Sequence, residues 1–176
     1  MITSTIHTPI GPLRLDASEG ALVGLSWIRG PSAPAAEDPP SDPLIAAVSA
    51  QLQAYFAGQL TDFRFALRPR GSPFQHRIWA LLRTIPFGTT LSYAALAARA
   101  DTAPRAAAAA CAANPIPIVI PCHRVIAASG ALAGYSGGDG IATKRFLLNL
   151  EQAPRHPVPI PATAAQGDPA AWTPVP

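Results

Sequence analysis

The sequence predicts an α+β fold: a small N-terminal α/β part followed by a mostly helical C-terminal part. Three observations lead there. Residues 2–28 hold short β-like segments separated by glycine-containing turns. From Pro73 onward, apolar residues recur at helical spacing. Between these stretches, Arg68 to Ser72 fits neither pattern and reads as a boundary. The expected division is 1–70, 71–153, and a proline- and alanine-rich tail over 154–176.

In the N-terminal part, Ile2–His7, Leu13–Asp16 and Leu22–Trp27 read as strands, turned at Gly11-Pro12 and Glu19-Gly20. Gly30 to Pro43 is rich in Pro, Ala, Asp and Ser and reads as a surface loop. Asp42 can cap a helix to Phe56, with Leu44, Val48, Leu52 and Tyr55 or Phe56 on one face. Gly58 ends that helix, and Asp62 to Leu67 is expected to return as a strand. His7 has no metal-like companions and reads as structural.

In the C-terminal part, Phe74–Ile85 places Phe74, Ile78, Leu81 or Leu82, and Ile85 at helical spacing, and Pro86-Phe87-Gly88 breaks it. Ser92 caps a second helix through Ala98 or Arg99. Asp101-Thr102 turns the chain, and a third helix begins near Ala103 or Pro104 and runs to about Ala113. Two short helices around a tight turn form a helix-turn-helix, a unit found with and without DNA. The third helix, from Arg105 to Ala113, is almost all alanine. A helix so slim could enter a minor groove about 6 Å wide; equally, alanine favours helix and close packing. On residues alone the second reading is preferred. Ala127 to Ala133 reads as a polar turn, Gly134-Tyr135-Ser136-Gly137-Gly138 as a flexible loop offering backbone N–H groups, and Lys144–Glu151 as helix. The tail reads as a mobile segment or surface strap.

The chemistry centres on Asn114 to Val125. Prolines at 115, 117 and 121 remove backbone donors and argue against a central strand. The segment reads as a rigid buried arm presenting Cys122, with His123 beside it. A thiol needs a base or a positive field to become the reactive thiolate. Neighbouring side chains on extended backbone point to opposite faces, so a bridging water is expected between Cys122 and His123. Glu151 is the candidate to orient the imidazole. Leu147 and Leu148 stand four and three residues before it, which puts its carboxylate on the apolar side of a helix, where an unpaired charge is costly. The plainer alternative is a buried cysteine beside an incidental histidine.

Composition narrows the setting. The chain has 176 residues, 49% hydrophobic and 13% charged, with 21 prolines: enough apolar content for a core in one domain or two small ones. A net charge of +3 suits a phosphate-bearing partner without requiring one. No stretch approaches the roughly 20 apolar residues that span a bilayer, and the N-terminus lacks a signal peptide's pattern. A reduced thiol in the cytoplasm is expected. Cys111 reads as a packing residue. Two distant cysteines and scattered histidines make a poor zinc framework, so no metal and no cofactor are expected.

Pro121-Cys122-His123-Arg124-Val125-Ile126, preceded by Asn114-Pro115 and followed by Gly134-Tyr135-Ser136-Gly137-Gly138, resembles the O6-alkylguanine–DNA alkyltransferases. The likeness runs from about Phe74 to Glu151 and is looser in the N-terminal third. It implies an RNase H-like N-terminal domain and a monomer acting on double-stranded DNA that carries O6-alkylguanine. It also implies a single, irreversible alkyl transfer to Cys122 after base flipping. Catalytic roles then fall to Cys122, His123, Glu151, Asn114 as a hinge, and Tyr93, which presses on the 3′ phosphate and protonates the departing guanine. Base contacts fall to Val125, Ser136, Tyr135, Pro117 and Gly137. DNA contacts fall to Arg105, which replaces the flipped nucleotide, with Tyr93, Ser92, Ala106 and Gln75. The chain departs from the family in three places. The interval from Tyr93 to Arg105 is short, positions 107 and 108 carry alanines, and the interval from Gly138 to Lys144 is long. Three rivals stand beside this reading: a damage-binding relative without transfer, a Cys–His–Glu hydrolase, and a plain helix-turn-helix regulator.

Overall fold

The computed structural model describes residues 1–30 and 40–152; most of the expected loop from Gly30 to Pro43, and the tail over 154–176, lie outside the described residues. The chain opens with β1 (Ile2–Thr8), β2 (Gly11–Ser18) and β3 (Ala21–Trp27), an antiparallel meander in that spatial order. Alternation sets its buried face: Leu13, Leu15 and Ala17 of β2 point inward with Ile6 of β1 and Leu22 and Leu25 of β3. Against this face lies α1 (Pro43–Phe56), whose first turn is closed by Asp42 accepting from the Ile45 N–H at 3.0 Å. Its buried stripe is Ile45, Val48, Ser49, Leu52 and Tyr55. Leu44 is only half-buried, so the inward face is rotated from the expected one.

Asp62 to Leu67 does not return as a strand. Its contact with the sheet is one parallel bridge, Leu22 to Leu67, with the Leu22 N–H donating to Ala66 O and the Arg68 N–H to Leu22 O, each at 2.9 Å. The reason lies in α1. Gln51 bonds both backbone groups of Arg64, accepting from its N–H at 2.7 Å and donating to its carbonyl at 3.2 Å. The side chain thus satisfies what a ladder would otherwise have paired.

The C-terminal part follows its caps. α2 (Pro73–Arg83) starts with a reciprocal capping box: Ser72 Oγ accepts from the Gln75 N–H at 3.2 Å, and Gln75 Oε1 accepts from the Ser72 N–H at 2.8 Å. The helix stops at Arg83, short of Ile85, although Ile85 stays fully buried. Trp79 is the largest buried side chain here and donates its indole N–H to Ala110 O at 2.9 Å, pinning α2 to α4. β4 (Leu91–Ser92) leads into α3 (Tyr93–Arg99), capped by Ser92. After a turn with Asp101 at φ +50°, α4 (Pro104–Ala112) completes the helix-turn-helix. α4 buries Ala107, Ala110 and Cys111 and leaves Arg105, Ala109 and Ala112 exposed.

The arm then crosses the core with Ile116, Ile118, Val119 and Ile120 buried. Its bend places Ile118 at φ +75°, a costly conformation for a β-branched residue, on the order of 1–3 kcal/mol. Two bonds hold the bend: the Ile116 N–H donates to Asn114 Oδ1 at 3.0 Å, and the Ile120 N–H to Ile116 O at 2.9 Å. A single 3-10 turn, Cys122–Arg124, runs into β5 (Val125–Ile126), which pairs in parallel with β4. α5 (Ile141–Leu150) closes the fold, three residues longer at its start than the expected helix.

Loss of the α2 cap tests this local account. Ser72→Ala should cost about 1 kcal/mol and lower the thermal midpoint by about 2–4 °C, read by circular dichroism.

Candidate active site

The site is assembled from the arm, the start of β5, α5 and, unexpectedly, α1. Cys122 is 7% exposed and forms part of the wall of a cavity of about 320 Å³ that Asn114, Pro117, Tyr135, Ser136 and Gly137 also line. Asn114 Nδ2 donates to the Cys122 sulfur at 3.2 Å and to Ile120 O at 2.7 Å. One side chain therefore fixes both the bend of the arm and the position of the sulfur. Burial pushes the thiol pKa up; the Asn114 hydrogen bond and the nearby Lys144 ammonium act against that rise.

His123 and Glu151 are both buried and meet at 2.8 Å, Nε2 to Oε1. A carboxylate only accepts, so Nε2 carries the proton and Nδ1 is the acceptor. Nδ1 is buried and has no hydrogen-bond partner among the described residues. Burial lowers the His123 pKa, while Glu151 pulls it back, and the outcome is a neutral imidazole able to take a proton at Nδ1. For Glu151, burial alone would raise the pKa. His123 and Arg124 outweigh it and hold the carboxyl well below the usual carboxylate range.

Two side-chain anchors of Glu151 escaped the sequence reading. Arg124 grips both carboxylate oxygens, Nε to Oε2 at 2.8 Å and Nη2 to Oε1 at 3.0 Å, and its Nη1 donates to Ile85 O at 2.6 Å. The Tyr55 hydroxyl donates to Oε1 at 2.7 Å from α1. Arg124 stands inside the motif that pointed to the site. Tyr55 is 96 residues from Glu151, with no signal beyond its place on an apolar face.

Lys144 is the third omission. Its ammonium is buried and donates to Val125 O at 2.6 Å and Ala133 O at 2.9 Å, 5.6 Å from the Tyr93 ring centroid. Burial lowers its pKa to about 8, with Cys122 and Cys111 pulling the other way. The loop expected to be flexible is pinned at several points. Lys144 holds Ala133, Arg29 Nη2 donates to Gly138 O at 3.1 Å, and the Asp139 N–H donates to Thr143 Oγ1 at 2.9 Å.

The remaining expected residues fall as follows. Tyr93 opens α3 with its hydroxyl donating to Ala133 O at 3.2 Å; burial, together with Cys111 and Cys122, raises its pKa and keeps it a proton donor. Val125 O is occupied by Lys144, and Ser136 Oγ makes a long 3.4 Å contact to Ala112 O. Ser92 and Gln75 are engaged in helix caps. Arg105 is exposed at the start of α4, beside half-buried Ala106. Cys111 is buried as a packing residue yet also lines the cavity.

A thiol on a cavity wall, an imidazole–carboxylate pair behind it, and a helix-turn-helix alongside fit a cysteine-dependent DNA-modifying class. Comparison with known proteins gives the family. The profile described as 6-O-methylguanine DNA methyltransferase, DNA binding domain, matches residues 73–153, and its ribonuclease-like domain matches residues 1–69. A methylated-DNA–protein-cysteine methyltransferase of Mycobacterium tuberculosis is 45% identical over 85% of this chain and 91% of its own length. One from Methanosarcina acetivorans is 39% identical over 86% and 98%. Among solved structures, the M. tuberculosis O6-methylguanine methyltransferase superposes with a TM-score of 0.74 at 41% identity, covering 92% of this chain and 96% of that one. The M. tuberculosis protein in complex with DNA gives 0.74 at 44%, covering 89% and 95%. The chain belongs to the 6-O-methylguanine DNA methyltransferase family.

The site's electrostatics set a pH dependence. His123 and Glu151 have folded pKa values below their ordinary 6.5 and 4.5. Each then contributes stability that is whole above the ordinary value and is lost as pH falls toward the folded one. The urea unfolding free energy should therefore fall as pH drops from 7 to 4, and Glu151→Gln should flatten the part below about pH 4.5.

Proposed function

We propose that this chain repairs alkylated DNA by direct reversal, taking the alkyl group from O6-alkylguanine onto Cys122. The observation that carries the reading is the sulfur itself. It lies on the wall of an open cavity with a buried His123–Glu151 pair behind it and the slim face of α4 alongside. In this reading residues 1–70 form a scaffold, 71–153 bind DNA and transfer the alkyl group, and the tail has no chemical role. The protein acts, in this reading, as a cytoplasmic monomer. Among the described residues no helix is long and apolar enough to cross a membrane.

The target atom is out of reach in a stacked duplex, so the nucleotide is turned out into the cavity. Arg105 enters the space it leaves. Ser92, Tyr93, Ala106 and the start of α2 near Gln75 run along the backbone, and Tyr93 presses on the 3′ phosphate. The base lies between Pro117 and Tyr135. The backbone of Ser136 and Gly137 faces O6, and the carbonyls of Cys122 and Val125 face the exocyclic amine, Val125 O offering it the lone pair that its bond from Lys144 leaves free. A water between Cys122 and His123 Nδ1 carries the thiol proton to the imidazole, with Glu151 balancing the charge. The thiolate attacks the alkyl carbon, the S–C bond forms, and the C–O6 bond breaks with its electron pair going to guanine. Tyr93 protonates the leaving ring, and Asn114 holds arm and sulfur together throughout. The only group water could displace from a neutral thioether is the cysteine thiolate, a poor leaving group, so each chain reacts once.

Incubation with a duplex carrying O6-methylguanine, followed by intact-protein mass, should show one methyl per chain at saturation. Repeated product release without an adduct would favour a hydrolase, and binding without an adduct a damage-binding protein. Cys122→Ala should bind the duplex and gain no mass. Arg105→Ala should slow transfer from duplex by at least about tenfold, because flipping is worth a few kcal/mol, and should spare transfer from the free base.

A further inference from the structure

The cavity beside Cys122 is closed on one side by the N-terminal sheet. Trp27, the last residue of β3, stands in that wall with Arg29, and neither belongs to the segment that carries the sulfur. Trp27 is held in the β2–β3 ladder opposite Leu13, and its indole N–H donates to Ile10 O at 3.1 Å. The indole meets Tyr135 edge-on, with ring centroids 6.4 Å apart at 82°.

It also carries the loop after Tyr135. A Cβ on Gly137 would lie 2.5 Å from the indole ring, and one on Gly138 would lie 2.9 Å from Nε1. Gly138 has φ +52° and would favour glycine for its backbone alone. Gly137 has no such conformation, so its lack of a side chain answers to the indole packed on it. Arg29 completes the clamp through its bond to Gly138 O at 3.1 Å.

Trp27 also borders a second hollow, of about 470 Å³, lined by Ile10, Gly11, Pro12, Ile28 and Asp139 among others. Trp27, Arg29 and Gly138 line both spaces. These three residues thus stand between the acceptor cavity and an adjoining pocket, with the Trp27 indole packed against the Gly137-Gly138 stretch.

We propose that Trp27 is a specificity-determining residue: by bracing Tyr135 and Gly137-Gly138 and partitioning the two hollows, it limits the size of the alkyl group delivered to Cys122. This rests on the reading of the cavity as the seat of an O6-alkylated guanine. With the indole in place, a small group such as methyl sits against the sulfur under a fixed loop. Without it, the two hollows join and the loop loses its support, so a bulky aromatic group gains room while methyl loses its positioning. One methylene in an apolar pocket is worth about 10–200-fold in discrimination, which sets the scale for a whole ring.

The test is single-turnover transfer from two duplexes, one with O6-methylguanine and one with O6-benzylguanine, on full-length protein. Trp27→Ala should raise the benzyl-to-methyl rate ratio by at least about tenfold. Trp27→Phe, which keeps an aromatic ring on the loop and guards against loss of folding in the alanine variant, should give an intermediate ratio. Equal slowing of both substrates, or an unchanged ratio in both variants, would overturn the proposal and leave the repair function standing. A wild-type protein that takes neither group would instead end the repair reading.

Discussion

The structure depends on a single buried negative charge. Glu151 sits at the C-terminal end of α5, where the helix dipole opposes an anion. It is 2% exposed, so water cannot compensate. What compensates is a ring of donors from across the fold: Tyr55 from α1, His123 and Arg124 from the turn after the arm, and the Gly88 N–H at 3.3 Å from the loop after α2. A buried ion pair of this kind adds little net stability over an apolar core but penalises any arrangement in which a partner is missing. Its worth here is geometric. The same bonds that satisfy the carboxylate set the tautomer and direction of His123.

That arrangement gives the N-terminal part a role in a site whose sulfur it does not carry. Tyr55 completes the carboxylate's partners, and Trp27 and Arg29 hold the loop over the cavity. The Leu25 N–H donates to Pro115 O at 2.9 Å, tying β3 to the start of the arm. The strained Ile118 bend persists because both ends of the arm are fixed, by Asn114 on one side and by the β4–β5 pairing on the other. The structure reads as an arm held rigid so that one sulfur stays in one place.

Much of this was legible from residues. Short β-like segments between glycine-containing turns marked the three strands, and Asp42 and Ser92 lie at helix starts because their oxygens serve backbone N–H groups that a helix leaves unpaired. Glu151 could be picked out because a carboxylate on an apolar face must have a partner. What stayed hidden were contacts without local pattern. Two-residue strands carry no periodicity, so β4–β5 could not be anticipated. Tyr55 and Lys144 look like ordinary face residues until the fold brings a carboxylate to one and two carbonyls to the other. Asp62 to Leu67 misled because its alternation is real, with Phe63 and Phe65 packed on the core, but Gln51 takes the backbone groups a strand would need.

The central claim is that Glu151 acts on Cys122 through His123, as one relay. A double-mutant cycle on the single-turnover methyl-transfer rate tests it most directly, using Glu151→Gln, His123→Asn and the double variant, each verified as folded. Groups that work as a unit are strongly non-additive. Each single change should slow transfer by about 10²–10⁴-fold, and the double variant should be no slower than the slower single one. Losses that multiply, as they do for independent sites, would contradict the relay.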